Sequence, residues 1–174
     1  MPAGQVQSRA PDDALLHTVN PAARALIGVR KTRQCYVSAR DIARFAQAIG
    51  ADDPVHFDEQ YARGTRHGGI VAPALFCQSL TYEDVPTQQL PADGSPLELN
   101  VPIPAQRTVG GGSEYQIFRL VRAAETLTIT TELKDIQIKQ GKSGILYLLA
   151  VQTDFADADG KPVASELATY IKRI

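Results

Sequence analysis

The segment FAQAIGADDPVHFD, residues 45–58, joins the clearest helix signal in the chain to a polar loop that contains a histidine. The helix is predicted to begin at Ser38, where a serine followed three residues later by an aspartate has the form of a capping box. It is predicted to end at Gly50, because glycine adopts the left-handed conformation of a helix C-cap without steric cost. The apolar residues of this stretch recur at helical spacing on one face, as Ile42, Phe45, Ala46 and Ile49.

Two shorter helices are predicted after this loop. Asp58 is a typical N-cap for a helical turn that ends at Gly64. Pro73 is favourable in a first helical turn, and the residues that follow it predict a helix to about Tyr82. That helix is apolar on nearly all faces, so we expect it to be buried. Its apolar residues are Ala74, Leu75, Phe76, Cys77 and Leu80.

The last third of the chain has the pattern of successive β-strands. Residues 126–130 alternate threonine with apolar side chains, as expected of a half-buried strand. Residues 83–112 are rich in Pro, Gly and Gln and are predicted to form one long connection. Long antiparallel strands after a buried helix predict an α+β fold, with the sheet wrapped around that helix. The predicted strands are 114–121, 127–139, 145–155 and 163–174, with a strand or an irregular segment at 26–37.

Length and composition narrow the class of protein. The 174 residues are enough for one domain, which we predict over residues 25–174, after a flexible tail at 1–24. The 18 basic and 19 acidic residues give a net charge of −1 with no basic run, so nucleic acid is not an expected partner. No apolar run is long enough for a membrane span and no signal peptide is recognisable, so we expect a cytoplasmic protein. Cys35 and Cys77 have no histidine at metal-ligand spacing, so we expect reduced packing residues and no metal or redox cofactor.

Three segments, by their order and spacing, resemble the MaoC-like hydratase/dehydratase family of hotdog proteins. The resemblance is closest to its fatty-acid-synthase-like dehydratase N-terminal branch. The segments are residues 45–56, 69–73 and 112–128, and the similarity extends over residues 25–174. The resemblance implies a single hotdog domain that binds an acyl thioester such as acyl-coenzyme A. Active members of the family add water across, or remove it from, a thioester double bond with (R) stereochemistry.

Active members carry the motif D-x-N-P-x-H, and the resemblance places His56 on its histidine, Asp53 on its asparagine and Ala51 on its catalytic aspartate. This chemistry needs a carboxylate and an imidazole on one water, because one carbon is protonated while hydroxide reaches its neighbour. His56 is therefore the candidate catalytic residue, with a purely structural histidine as the alternative. Asp53 is either a turn carboxylate before Pro54 or a relocated catalytic acid.

A second part of the family machinery is also altered. Active members have an I-V-H-G segment, whose glycine amide stabilises the enolate oxygen. The corresponding segment here has Pro73 in the place of that glycine, and proline has no amide hydrogen. A shifted donor would come from Gly68, Gly69 or Ala74. The resemblance thus implies a substrate-binding segment made by Gly69, Ile70, Val71 and Ala74.

Basic residues and glycines outside these motifs have two interpretations each. Arg63, Arg66 and His67 are either solvated surface residues or contacts for the phosphates of coenzyme A. The glycine run 110–112 lacks the Lys-Ser/Thr that follows a phosphate-binding loop. It therefore predicts a flexible entry to a strand.

Three functions are compatible with these residues. We favour a substrate-holding subunit of an (R)-specific enoyl-coenzyme A hydratase or 3-hydroxyacyl dehydratase, with residues 83–112 shaping the acyl-chain tunnel. The second is a competent homodimeric hydratase that uses His56 with a relocated acid. The third is a hotdog thioesterase, for which Glu83 and Asp84 lie at the far end of the third helix. The resemblance implies a homodimer, or a heterodimer with a second hotdog subunit, because an isolated hotdog sheet leaves an apolar face and an open edge.

Overall fold

The computed structural model of the protein describes residues 19–91, 94–96, 100–105, 107–142 and 144–173. These residues form one five-stranded sheet in the order β1-β3-β4-β5-β2, in which every neighbouring pair is antiparallel. The predicted α+β class is confirmed, each of the four predicted C-terminal strands overlaps an observed strand, and residues 26–37 do contain a strand. The strands are β1 Arg30–Val37, β2 Arg107–Ile117, β3 Glu125–Gly141, β4 Gly144–Ala156 and β5 Pro162–Arg173.

The helices of the described residues are short, with one exception. That exception is the predicted helix at Ser38, which runs for 11 residues. None of the helices in the described ranges is long and apolar enough to cross a membrane. The α-helices are α1 Pro21–Arg24, α2 Ala39–Ile49, α3 Glu59–Arg63 and α4 Phe76–Ser79, with single 3₁₀ turns at Pro54–His56 and Thr87–Gln89.

Helix α2 has the predicted caps at both ends. The Ser38 hydroxyl accepts from the Asp41 amide at 3.2 Å, and the Asp41 carboxylate accepts from the Ser38 amide at 3.0 Å. Gly50 ends the helix with φ +70°, a conformation that costs glycine little. Ile42 is fully buried, whereas Ile49 is 56% exposed, so the buried face is narrower than the spacing predicted.

Helix α4 is shorter and more exposed than predicted. The prediction of a buried helix from Pro73 to Tyr82 was wrong, because regular helix is confined to Phe76–Ser79 and Leu75 is 46% exposed. At the end of α4 a side-chain hydroxyl competes with backbone amides for a helix carbonyl, since the Ser79 hydroxyl donates to the Phe76 carbonyl at 2.7 Å. The next carbonyls are also occupied, since the Arg33 guanidinium donates to those of Leu80 and Tyr82.

Strand β2 begins at Arg107 and not at the predicted residue 114, so the glycine run lies within the strand. A β-bulge falls between Gly110 and Gly112 in the pairing with β5. A Cβ atom on Gly111 would lie 2.9 Å from the Thr169 carbonyl oxygen, so this position requires glycine. The sequence signal that indicated a flexible loop therefore marks a close approach of two strands.

The core consists of two clusters. One joins α2, the Pro54–His56 turn and α4 to the sheet, and there the rings of Phe45 and Phe76 meet edge to face at 5.4 Å. The other includes Val19 and Ala23, which pack against β3 and β4. Val19 and Ala23 therefore belong to the core although they precede the predicted boundary at residue 25, and residues 1–18 of the predicted tail lie outside the described residues. The second cluster also contains Val101, Leu133, Ile136, Ile145, Tyr147, Leu149 and Val151.

Candidate functional site

His56 is held at the end of the Pro54–His56 turn with only 8% of its surface exposed. Its Nδ1 lies 2.7 Å from the carbonyl oxygen of Val71. A carbonyl can only accept, so Nδ1 carries the hydrogen, and in the neutral ring Nε2 carries the lone pair. A backbone carbonyl therefore orients the imidazole and leaves Nε2 as the acceptor nitrogen of the neutral ring.

Asp53 has a structural role in the same turn. One of its carboxylate oxygens accepts from the Val55 amide at 2.9 Å, which makes Asp53 the N-cap of the turn that carries His56. In the described residues no carboxylate hydrogen-bonds to the His56 ring. Asp52 is exposed. Among the described residues, the hydrogen bond made by Ala51 runs from its backbone amide to the Ala46 carbonyl at 2.9 Å.

The oxyanion donors suggested by the sequence differ in availability. The Gly68 amide is occupied, because it donates to the Thr65 carbonyl at 3.2 Å. The amides of Gly69 and Ala74 make no hydrogen bond among the described residues, and Ala74 is exposed. Of the three suggested donors, the Gly69 and Ala74 amides are thus the ones without an acceptor among the described residues.

Ile70 and Val71 form the inner part of the predicted substrate-binding segment. Both side chains belong to the buried core, so Ile70 acts there as a packing residue. Val71 is also paired with Arg122 in an isolated antiparallel bridge, and the Ala72 amide donates to the Val121 carbonyl at 2.8 Å. These backbone bonds fix the segment that orients His56 against the chain just before β3.

Beside this segment lies a cavity of about 330 Å³, which we call the arginine cavity. It combines Arg66 and His67, which the sequence had singled out, with two arginines that follow β2. Arg63, the third basic residue of that group, is instead paired with Glu59 at 2.8 Å on the surface of α3. Sequence reasoning missed the two arginines, since only the fold brings them near Val71. The arginine cavity is lined by Arg66, His67, Val71, Arg119, Leu120 and Arg122.

Arg119 is the one arginine of this cavity that carboxylates neutralise in the described residues. It forms a bidentate pair with Glu125 at 3.1 and 2.8 Å, and it reaches Asp157 at 3.3 Å. The hydrogen bond and charge of Glu125, with Asp157 behind it, raise the pKa of Arg119. The pair joins the end of β2, the start of β3 and the turn between β4 and β5.

Both cysteines are free thiols; Cys77 is buried, whereas Cys35 is partly exposed. Burial raises the pKa of Cys77 to about 12, so this thiol remains protonated at neutral pH. Cys35 lines a second cavity of about 370 Å³ between β1, α2 and α4. Asp84 also lines that cavity, and both Glu83 and Asp84 lie beyond α4 and not within a helix.

Known proteins are similar to this chain over most of its length. The family model described as the FAS1-like, dehydratase domain region matches residues 25–166. A UPF0336 protein of Streptomyces griseus is 28% identical over 141 residues, which cover 79% of this chain and 84% of the relative.

Solved structures share the same architecture. The MaoC-like dehydratase from Rhodospirillum rubrum is 25% identical with a TM-score of 0.59, over 84% of this chain and 92% of the other. The C-terminally truncated HadBC complex of Mycobacterium tuberculosis, a 3R-hydroxyacyl-ACP dehydratase, is 18% identical with a TM-score of 0.64, over 84% and 96%. The family model covers residues 25–166, which is most of the chain. The chain therefore belongs to the FAS1-like dehydratase region family, whose fold is the MaoC-like hotdog.

Proposed function

We propose that this protein is an acyl-thioester-binding hotdog subunit of the (R)-specific hydratase/dehydratase class, and that it needs a second hotdog subunit for catalysis. The observation that carries the proposal is the environment of His56. Its ring bonds to a backbone carbonyl, and no carboxylate in the described residues accompanies it. The reaction needs both an acid and a base on the substrate, so the missing carboxylate would come from the partner.

Two further observations support a partner. The related HadBC structure is a complex of hotdog subunits described as a dehydratase. In this chain β2 is an edge strand of the sheet, and it exposes Val109, Ile117 and the adjacent Phe118. Unpaired edges with exposed apolar residues are typical of surfaces that pair with another chain.

The test is the hydration of a short trans-2-enoyl-coenzyme A, which is measured as the loss of absorbance of the conjugated thioester. The chain alone is expected to be slower than a complete enzyme by a factor of about 10² to 10⁴, because it lacks one of the two groups that move protons. Addition of a second hotdog chain that carries D-x-N-P-x-H is expected to restore the rate. Rapid turnover by the chain alone that His56→Ala abolishes would contradict the proposal.

A competent homodimer is the second candidate, and the orientation of His56 favours it. Because Nδ1 donates to Val71, Nε2 is left with the lone pair that a general base requires. If the protein is a competent homodimer, we expect the pure chain to turn over substrate, and we expect His56→Ala to lower that rate about 10²-fold or more. The variant Ala51→Asp, which returns a carboxylate to the family position, would raise turnover only if the rest of the site is competent.

A further inference from the structure

We infer that the arginine cavity binds a phosphate group on the carrier of the acyl thioester. The identity of the ligand rests on the proposed function. The location of the site rests on the charged residues that line the cavity. The cavity is lined by three arginines and one histidine, together with the apolar residues Val71 and Leu120. Guanidinium groups bind phosphate through paired N–H donors, and phosphate is the strongest anion on both common thioester carriers.

The charges of the arginine cavity are unequally compensated. Arg119 is neutralised by Glu125 and Asp157. The Arg66 side chain donates to His67 Nε2 at 3.4 Å, and no carboxylate in the described ranges forms an ion pair with the Arg66 or Arg122 side chain. Glu125, the partner of Arg119, also accepts from the backbone amide of Arg122 at 2.6 Å. The neighbouring Asp159 is paired with Lys161 at 3.4 Å. The guanidinium groups of Arg66 and Arg122 therefore have no carboxylate partner of their own among the described residues, which favours an anionic ligand.

The position of the cavity links it to the candidate site. Val71 lines the cavity, and the carbonyl of the same residue orients His56. Arg122 is fixed to Val71 by the isolated backbone bridge. A phosphate held by Arg66 and Arg122 would anchor the carrier beside the segment where the thioester is expected, at a fixed position relative to His56.

The test uses the full chain and two small probes, 4′-phosphopantetheine and pantetheine, with backbone amide NMR as the readout. We expect 4′-phosphopantetheine to shift the Arg122 and Val71 amides saturably, and pantetheine to leave them unchanged. Arg122→Gln or Arg66→Gln is expected to weaken this binding about tenfold, the effect of losing a charge-assisted hydrogen bond. Arg40→Gln, an exposed arginine on α2, is the matched control and is expected to bind as the wild type does. Equal shifts with both probes, or unchanged binding by the cavity variants, would overturn the inference.

Further probes show which phosphate of the carrier is bound, and they test the phosphate site separately from the proposed function. Binding of adenosine 3′,5′-bisphosphate at the same amides would assign the site to the nucleotide end of coenzyme A. Binding of 4′-phosphopantetheine alone would assign it to the arm that coenzyme A and acyl carrier protein share. Crotonyl-pantetheine, which has no phosphate, tests the proposed function separately. If it binds while the phosphate probes fail, the phosphate site is wrong and the proposed function stands. If the phosphate probes bind but an added hotdog chain with D-x-N-P-x-H does not restore hydration of the enoyl-coenzyme A, the phosphate site stands and the proposed function is contradicted.

Discussion

At the scale of single residues, a few backbone hydrogen bonds decide how the site residues are used. The family resemblance predicts His56 as the counterpart of the family histidine, and the structure shows that the Val71 carbonyl orients its ring. Asp53 lies only three residues before it in sequence, but its carboxylate bonds to the Val55 amide. A short side chain that caps a turn is held close to its own backbone, so proximity in sequence does not bring it to the ring.

The role of Asp53 can be tested with two substitutions. Asp53→Asn is expected to change the free energy of unfolding little, because asparagine is an equally good cap, whereas Asp53→Ala is expected to lose about 1 kcal/mol. Urea unfolding followed by circular dichroism measures both. If Asp53 were instead the relocated acid of a competent enzyme, Asp53→Asn would remove activity while it preserved stability.

At the scale of elements, α2 was predictable because its signals are local. Its capping box involves residues three apart, and its stop is a single glycine. The length of α4 was not predictable, because part of what ends it is the Arg33 guanidinium of β1, which is remote in sequence. Apolar composition indicated a buried helix, but burial depends on what packs against each face.

The capping box gives stability that depends on pH. Hydrogen bonds from the Ser38 hydroxyl and amide hold the pKa of Asp41 below its ordinary value. A carboxyl whose pKa is lowered on folding stabilises the protein above its unfolded pKa, and this stabilisation is lost as pH falls through the folded pKa. Ser38→Ala is therefore expected to cost about 1 kcal/mol at pH 7 and less near pH 3. Thermal unfolding of both proteins at the two pH values measures the difference, and an equal cost at both would contradict the assignment.

The glycine run in β2 offers a matched pair of substitutions. Gly111→Ala places a Cβ atom 2.9 Å from the Thr169 carbonyl oxygen, so the strands must separate, at an expected cost of about 1–3 kcal/mol. Gly110→Ala meets no atom within 4 Å and is expected to change stability by less than about 1 kcal/mol. Chemical denaturation of the two variants compares them directly. Equal stability would mean that β2 and β5 are not paired in this register.

At the scale of the whole molecule, Arg119 joins parts of the chain that are far apart in sequence. Its partners Glu125 and Asp157 lie at the start of β3 and in the turn after β4. Arg119→Met removes charge-assisted hydrogen bonds and leaves two carboxylates near each other, so we expect a loss of about 2 kcal/mol. Arg63→Met, which breaks an exposed pair with Glu59, is the control and is expected to cost less than about 0.5 kcal/mol. Calorimetric unfolding of both variants checks this order, and similar losses would contradict it.

The sequence alone determined the caps of α2 and α3, the existence of the long strands, the α+β class and the family to which the chain belongs. These features depend on signals within a few residues, or on motif order along the chain. Tertiary structure alone decided the extent of α4, the start of β2 at Arg107, the orientation of His56 and the arginine cavity. Each of these requires contacts between remote segments, such as Arg122 with Val71, and no local pattern encodes which distant group will lie opposite.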